Sequence, residues 1–154
     1  MAEITEITDE QLALLLEASR AFAFQQLAET GGFIPFGTQA KPDGEVEFVR
    51  MADERTEGTM EQFFNLLQLA LTERAQVGEI LAAATTINIM VEGIGVEVEP
   101  GFDRAIRVHV EAPGYSRAVI APYRIEVADG ESDKPYLVDA KMVAMAEPSV
   151  IFAG

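Results

Sequence analysis

Apolar positions recur at three- and four-residue spacing in two stretches of the chain. The first runs through Leu12, Leu15, Leu16, Ser19, Phe22, Ala23, Gln26 and Leu27, with Glu10, Glu17, Arg20 and Glu29 largely off the stripe, as one buried helical face requires. Thr8 and Gln11 stand three apart ahead of it and Gly31-Gly32 follows it. A threonine hydroxyl and a glutamine amide satisfy free amides at a helix start, and glycine accepts the left-handed conformation that ends one. The second stretch, Phe63, Leu66, Leu67, Ala70, Leu71, Arg74 and Val77, repeats the arrangement between Thr59-Met60-Glu61-Gln62 and Gly78. Two helices are predicted.

Elsewhere the period falls to two. Val46 and Phe48 alternate with Glu45 and Glu47 just past Lys41-Pro42-Asp43-Gly44, a turn sequence in which proline presets one angle and glycine closes the loop, so Phe33 to Arg50 reads as a hairpin. Ile80 to Val91 is a long apolar stretch whose second half is β-branched, which suits a buried central strand. Ile106, Val108 and Val110 alternate with Arg107, His109 and Glu111, and Pro113-Gly114 turns the chain into Ala118 to Val127, a second hairpin. Pro122 has no amide hydrogen and marks an edge or a bulge there. Tyr136 to Val138 adds a short strand, Asp53 to Gly58 and Asp129 to Asp133 are polar loops, and Met142 to Phe152 has no decided period. The order α-β-β-α-β-β-β plus a C-terminal tail describes a single α+β domain over residues 1–154. The expected form is two-layer, an antiparallel sheet of about five strands with both main helices on one face.

Composition narrows the function. The chain has 154 residues, 11 Lys and Arg against 26 Asp and Glu, and a formal charge of −15. With 49% apolar and 24% charged residues it has the make-up of a folded domain rather than a disordered one. Nucleic acids and anionic membranes are held chiefly by Lys and Arg, so this charge argues against both. No apolar run approaches the roughly 20 residues that span a bilayer. The acidic start Met1-Ala2-Glu3-Ile4-Thr5-Glu6 lacks a secretory n-region, so a cytoplasmic location is expected. The absence of Cys removes thiolate nucleophiles, disulfides and Cys-type zinc. Gly93, Gly95 and Gly101 form no dinucleotide fingerprint and no Gly-Lys-Ser/Thr phosphate loop exists, so no cofactor is implied.

His109 is the only imidazole, which excludes a His-His metal site, and a Ser-His-Asp triad would have to use it. Ser19, Ser116, Ser132 and Ser149 lie in no nucleophile-elbow context, so His109 reads as a surface residue between Arg107 and Glu111. Glu92, Glu97, Glu99 and Asp103 bracket a Gly-rich connection and offer a hard-cation or acid/base site, but their spacing matches no calcium loop and solvated loop charge is the simpler reading. The charge distribution says more: residues 1–100 carry −13, whereas residues 101–127 carry +1 because Arg104, Arg107, Arg117 and Arg124 gather there. Arg107 and Arg117 are therefore candidates to bind an acidic group or partner, with cross-strand ion pairing as the alternative. Phe102 and Tyr115, near the tips of the second hairpin, are the candidate interface aromatics. Phe33-Ile34-Pro35-Phe36 is either a docking segment or a strand buried on both faces.

Phe33-Ile34-Pro35-Phe36-Gly37 running to Asp43-Gly44-Glu45-Val46, Asp103-Arg104-Ala105-Ile106-Arg107-Val108 running to Ala121-Pro122-Tyr123-Arg124, and the closing Glu147-Pro148-Ser149-Val150-Ile151-Phe152 resemble a group of small bacterial proteins with no established activity. The resemblance spans nearly the whole chain and implies a bacterial one-domain protein, with no functional residues to carry over. The residues themselves lead to a non-enzymatic domain that binds a protein partner, basic or a second copy of itself, in the manner of an immunity protein, a secretion chaperone or an adaptor. The alternative is a small-molecule binding protein or enzyme, with a pocket between helices and sheet and Arg107, His109 or Tyr123 as polar contacts.

Overall fold

The structure, a computed structural model, describes residues 7–53, 55–95, 97–127 and 135–153. Helix α1 covers Asp9–Thr30 and α2 covers Met60–Gln76. Both begin with the capping boxes expected from sequence: Thr8 Oγ1 accepts from the Gln11 amide at 3.2 Å and Thr59 Oγ1 from the Gln62 amide at 3.1 Å. Each glutamine side chain accepts in return from its threonine amide at 2.9 Å. Asp9, Glu10 and Glu61 place negative charge at the positive ends of the helix dipoles. Gly31 ends α1 with φ 81°, a conformation that a Cβ would oppose.

Seven antiparallel strands form one sheet: β1 Phe36–Ala40, β2 Val46–Arg50, β3 Ala82–Met90, β4 Arg104–Ala112, β5 Tyr115–Val127, β6 Pro135–Asp139 and β7 Val143–Ala146. Their order is β2-β1-β3-β4-β5-β6, with β7 also on β5. The α+β class, the element order and both hairpins agree with the sequence reading. The expected five strands become seven: the short strand read at Tyr136 to Val138 pairs with β5 as β6, and the tail's Val143–Ala146 pairs with Arg117–Ile120 of β5. The loop Asp129 to Asp133 lies outside the described residues. Pro122 falls where the outer edge of β5 changes partner from β7 to β6. Its carbonyl accepts from the Ala140 amide at 3.0 Å, and its missing amide hydrogen points to that same gap, so β4 on the other side loses no ladder bond.

The helices lie on opposite faces of the sheet, not on one. Leu12, Leu15, Ala23 and Leu27 of α1 pack with Phe36, Ala40, Ala82, Ala84, Ile106, Val108 and Val110. Leu67 and Leu71 of α2 pack with Val49, Ile80, Ala83 and Ile151. Alternate residues of β1 and β3 thus face different helices, which is why β1 is buried at all five positions and β3 opens with Ala82, Ala83 and Ala84, each fully buried. Strand β1 carries the double burial considered for this segment, with Pro35 and Phe36 both buried. On the α1 side Ser19 Oγ meets Thr38 Oγ1 at 2.8 Å and donates to the Leu15 carbonyl at 2.7 Å.

Gly37 marks the closest approach of α2. A Cβ there would lie 3.1 Å from one methyl of Leu67 and 3.1 Å from one of Leu71, tighter than packed side chains tolerate without shifting. Gly37→Val is expected to lower the unfolding free energy by about 1–3 kcal/mol, measured by urea denaturation. An unchanged midpoint would show that α2 does not seat on β1 in this way.

Candidate functional site

On the α2 side of the sheet, Arg107, His109 and Glu111 of β4 lie beyond the reach of α2, and the chain after β7 folds back over them. Arg107 Nη2 meets Glu147 Oε1 at 2.7 Å. Glu111, fully buried, accepts from the amides of Val150 at 2.6 Å, Ile151 at 3.0 Å and Phe152 at 3.4 Å. A buried carboxylate needs such donors to remain charged, and the tail amides need an acceptor because no strand pairs with them. Ile151 then enters the α2-side core. Glu111 is the fastening of this strap.

His109 lies beneath the strap and is 1% exposed, so the surface placement read from sequence is corrected. Alternation with apolar residues identified its face correctly, and a tail without clear periodicity hid what covers that face. Its Nε2 is 2.7 Å from Ser116 Oγ and its Nδ1 is 3.7 Å from Glu111 Oε2. Glu111 and Ser116 are register partners across the hairpin, which explains why all three converge. Burial pushes the imidazole below its ordinary 6.5, with Arg107 acting in the same direction and Glu111 and Glu147 opposing it. Neutral His109 can accept the Ser116 proton, the first requirement of an activated hydroxyl.

The other candidates occupy separate places. Arg107 pairs in register with Ile120, whereas Arg117 pairs with Val110, so the two arginines point to opposite faces and share no surface. Arg117 and Tyr115 do come together, lining a groove of about 260 Å³ beside Asp9, Leu12 and Leu16 at the start of α1. Phe102 sits under Arg124, whose guanidinium carbon is 4.7 Å from the ring centroid, and Arg124 also meets Glu126 at 2.6 Å. Tyr123 is buried and donates to Asn88 Oδ1 at 2.7 Å; burial raises its pKa above 10. Glu92, Glu97, Glu99 and Asp103 are all exposed.

Two features were not singled out from sequence. The first is a cleft of about 670 Å³ at the sheet edge, where the end of α2 passes β1 and β2 and Lys41, Arg50 and Arg74 gather. The second is the outer flank of α2. Leu66 is 49% exposed, Leu69 57% and Val77, just past the helix end, 70%, although Leu66 and Val77 continue the stripe that identifies the helix. Both lie off the narrow line of Phe63, Leu67 and Leu71 that meets the sheet.

The chain matches no family model, no curated protein and no solved structure.

The buried imidazole makes stability depend on pH. The folded-state pKa of His109 lies below 6.5, so below that pH the unfolded chain binds the extra proton and the folded state does not. Unfolding free energy is expected to fall as pH drops from 7 through 6.5 toward the folded-state value, by at most about 1.4 kcal/mol per pH unit from this group. His109→Gln should flatten the change between pH 7 and 5.5 in denaturation series. Equal slopes in the two proteins would mean that His109 titrates alike in both states.

Proposed function

We propose that this domain is a non-enzymatic recognition module that binds a basic protein partner through the outer flank of α2. The observation that carries the reading is the exposed row of Leu66, Leu69 and Val77, apolar groups that gain most from leaving water against another surface. Glu57, Glu61, Glu73 and Glu79 stand exposed around that helix on a chain of net charge −15. An apolar centre rimmed by acidic groups complements a basic surface with an apolar anchor, and opposite fields speed encounter and suppress competitors. Two copies of the chain would repel each other at this flank, so self-association is the weaker form of the idea. The intrachain pairing of Arg107 with Glu147 moves the binding role away from that arginine.

The test is native mass spectrometry on chain purified gently from its own host, beside a Leu66→Asp, Leu69→Asp double variant. Both side chains are exposed, so the variant should fold. The expected result is a co-purifying basic chain at fixed stoichiometry, absent with the variant and released by salt. A lone chain, an acidic partner, a homodimer or a complex untouched by the substitutions would overturn the proposal.

One distance favours a second reading. Ser116 Oγ lies 2.7 Å from a buried imidazole nitrogen, the pairing of an acyl-transfer nucleophile with its base. Against it, Nδ1 stands 3.7 Å from Glu111, beyond hydrogen-bond length, and the Glu111 oxygens already serve the tail amides. On this reading a fluorophosphonate probe would label Ser116, and His109→Gln would abolish labelling. Unlabelled protein would remove the reading.

A further inference from the structure

We propose that the groove between the start of α1 and the first half of β5 binds a free amino acid with an apolar side chain, Arg117 taking its carboxylate and Asp9 its ammonium group. This is independent of the recognition surface on α2. On the α1 side of β5, Ala121 and Tyr123 are buried, whereas Tyr115 and Val119 are half-buried and Arg117 is exposed, so the strand is less covered over its first half. The neighbouring strand does not close the gap. Strand β7 sets Ala146 beside Arg117 and Ala144 beside Val119, side chains too short to reach across. What remains is a groove of about 260 Å³, just below the range of about 300–1,000 Å³ usual for drug-sized ligands and so suited to a smaller molecule.

Three polar side chains converge on this groove. Asp9, in the first turn of α1, and Tyr115 and Arg117 of β5 all line it, and among the described residues no hydrogen bond or ion pair engages any of the three side chains. Tyr115 and Arg117 stand two apart on one strand and so share a face. The register of Arg117 on Val110, a residue of the α1-side core, fixes which face it is. Leu12, Leu16 and Val119 supply the apolar walls. A guanidinium takes a carboxylate through two parallel N–H bonds, and a phenol beside it adds a further donor. A carboxylate such as Asp9 is the complementary acceptor for the N–H groups of an ammonium.

The presence of both signs sets the ligand class. A simple anion would satisfy Arg117 but meet Asp9 and the field of a chain of net charge −15. A simple cation would satisfy Asp9 but stand beside Arg117. A zwitterion satisfies both and, having no net charge, is neither drawn nor repelled by that field. In an α-amino acid the two charges sit on one carbon and its substituent, which leaves the side chain free to lie against Leu12, Leu16 and Val119, where an apolar group gains by leaving water. A peptide, whose terminal charges are separated by its length, does not meet the same condition.

L-Leucine is the probe. Added to the ¹⁵N-labelled full chain, it should give saturable NMR shifts at the Tyr115 and Arg117 amides and at the Arg117 Nε–H. N-Acetylleucine lacks the ammonium, leucinamide the carboxylate and glycine the side chain, and each should bind about tenfold more weakly or worse. Arg117→Gln and Asp9→Asn alter exposed residues, so both variants should fold, and each should weaken leucine binding about tenfold through loss of a charge-assisted pair. The losses should be selective: Arg117→Gln should not weaken leucinamide, and Asp9→Asn should not weaken N-acetylleucine. The Leu66→Asp, Leu69→Asp variant should bind leucine unchanged, so failure of the recognition proposal and failure of this one are separable. Shifts that do not saturate, an analogue that binds as well as leucine, or indifference to either groove substitution would each overturn the assignment.

Discussion

The seating of α2 over β1 and β3 is the constraint from which the rest of this structure follows. A helix about 10 Å wide covers about two strands at a spacing of about 4.8 Å, and α2 lies chiefly on β3 and β1. Those strands are already covered on their other face by α1. They are therefore buried on both sides, and Gly37 and the Ala82-Ala83-Ala84 run are small enough to allow it. What α2 leaves bare on its own side decides the remaining architecture. Toward β4 the uncovered positions are Arg107, His109 and Glu111, and the tail closes over them; toward β2 a cleft remains among the described residues.

The strap is consequently a polar solution to a packing problem. A tail with amides unmatched by any strand can cover the sheet only where an acceptor meets them, and the Glu111 carboxylate supplies it. A buried charge of this kind is costly unless fully hydrogen-bonded, so Glu111 and the tail amides each need the other. The His109–Ser116 pair fills the space beside them, joined through Nε2 and Oγ. The same proximity that makes the pair resemble a catalytic fragment is required by burial alone, because a histidine under a strap must hydrogen-bond to something.

Much of this was legible in the sequence. The two Thr-x-x-Gln boxes, Gly31, the turn at Lys41–Gly44 and the alternation of β4 carry local chemistry with one structural solution each, and all appear where expected. The side of the sheet on which a helix packs is not written in its own stripe. It depends on β1 and β3 being buried on both faces, a pattern that periodicity registers only as loss of alternation. The fate of the hairpin arginines was legible in principle. With Pro113 and Gly114 as a two-residue turn, Ala112 pairs with Tyr115, and residues of equal parity on the two strands then face opposite ways. Arg107 and Arg117 are both odd, so their separation follows from the turn, whereas the burial of His109 follows from a tail whose order depends on distant contacts.

Electrostatics ties these parts to function. In a chain with 15 more acidic than basic groups, carboxylate acceptors are plentiful. Arg20, Lys41, Arg107 and Arg124 each stand within ion-pair distance of one. Arg74 instead lies in the last turn of α2, where the helix dipole favours a cation, and Gln39, buried on β1, offers it a neutral oxygen from a position where a carboxylate would oppose Glu47. The glutamine thus keeps the arginine in place without quenching its charge. Replacing Gln39 with Glu would give Arg74 a carboxylate but set that carboxylate against Glu47 across the β1–β2 pair, so the arrangement of this edge rests on one amide nitrogen.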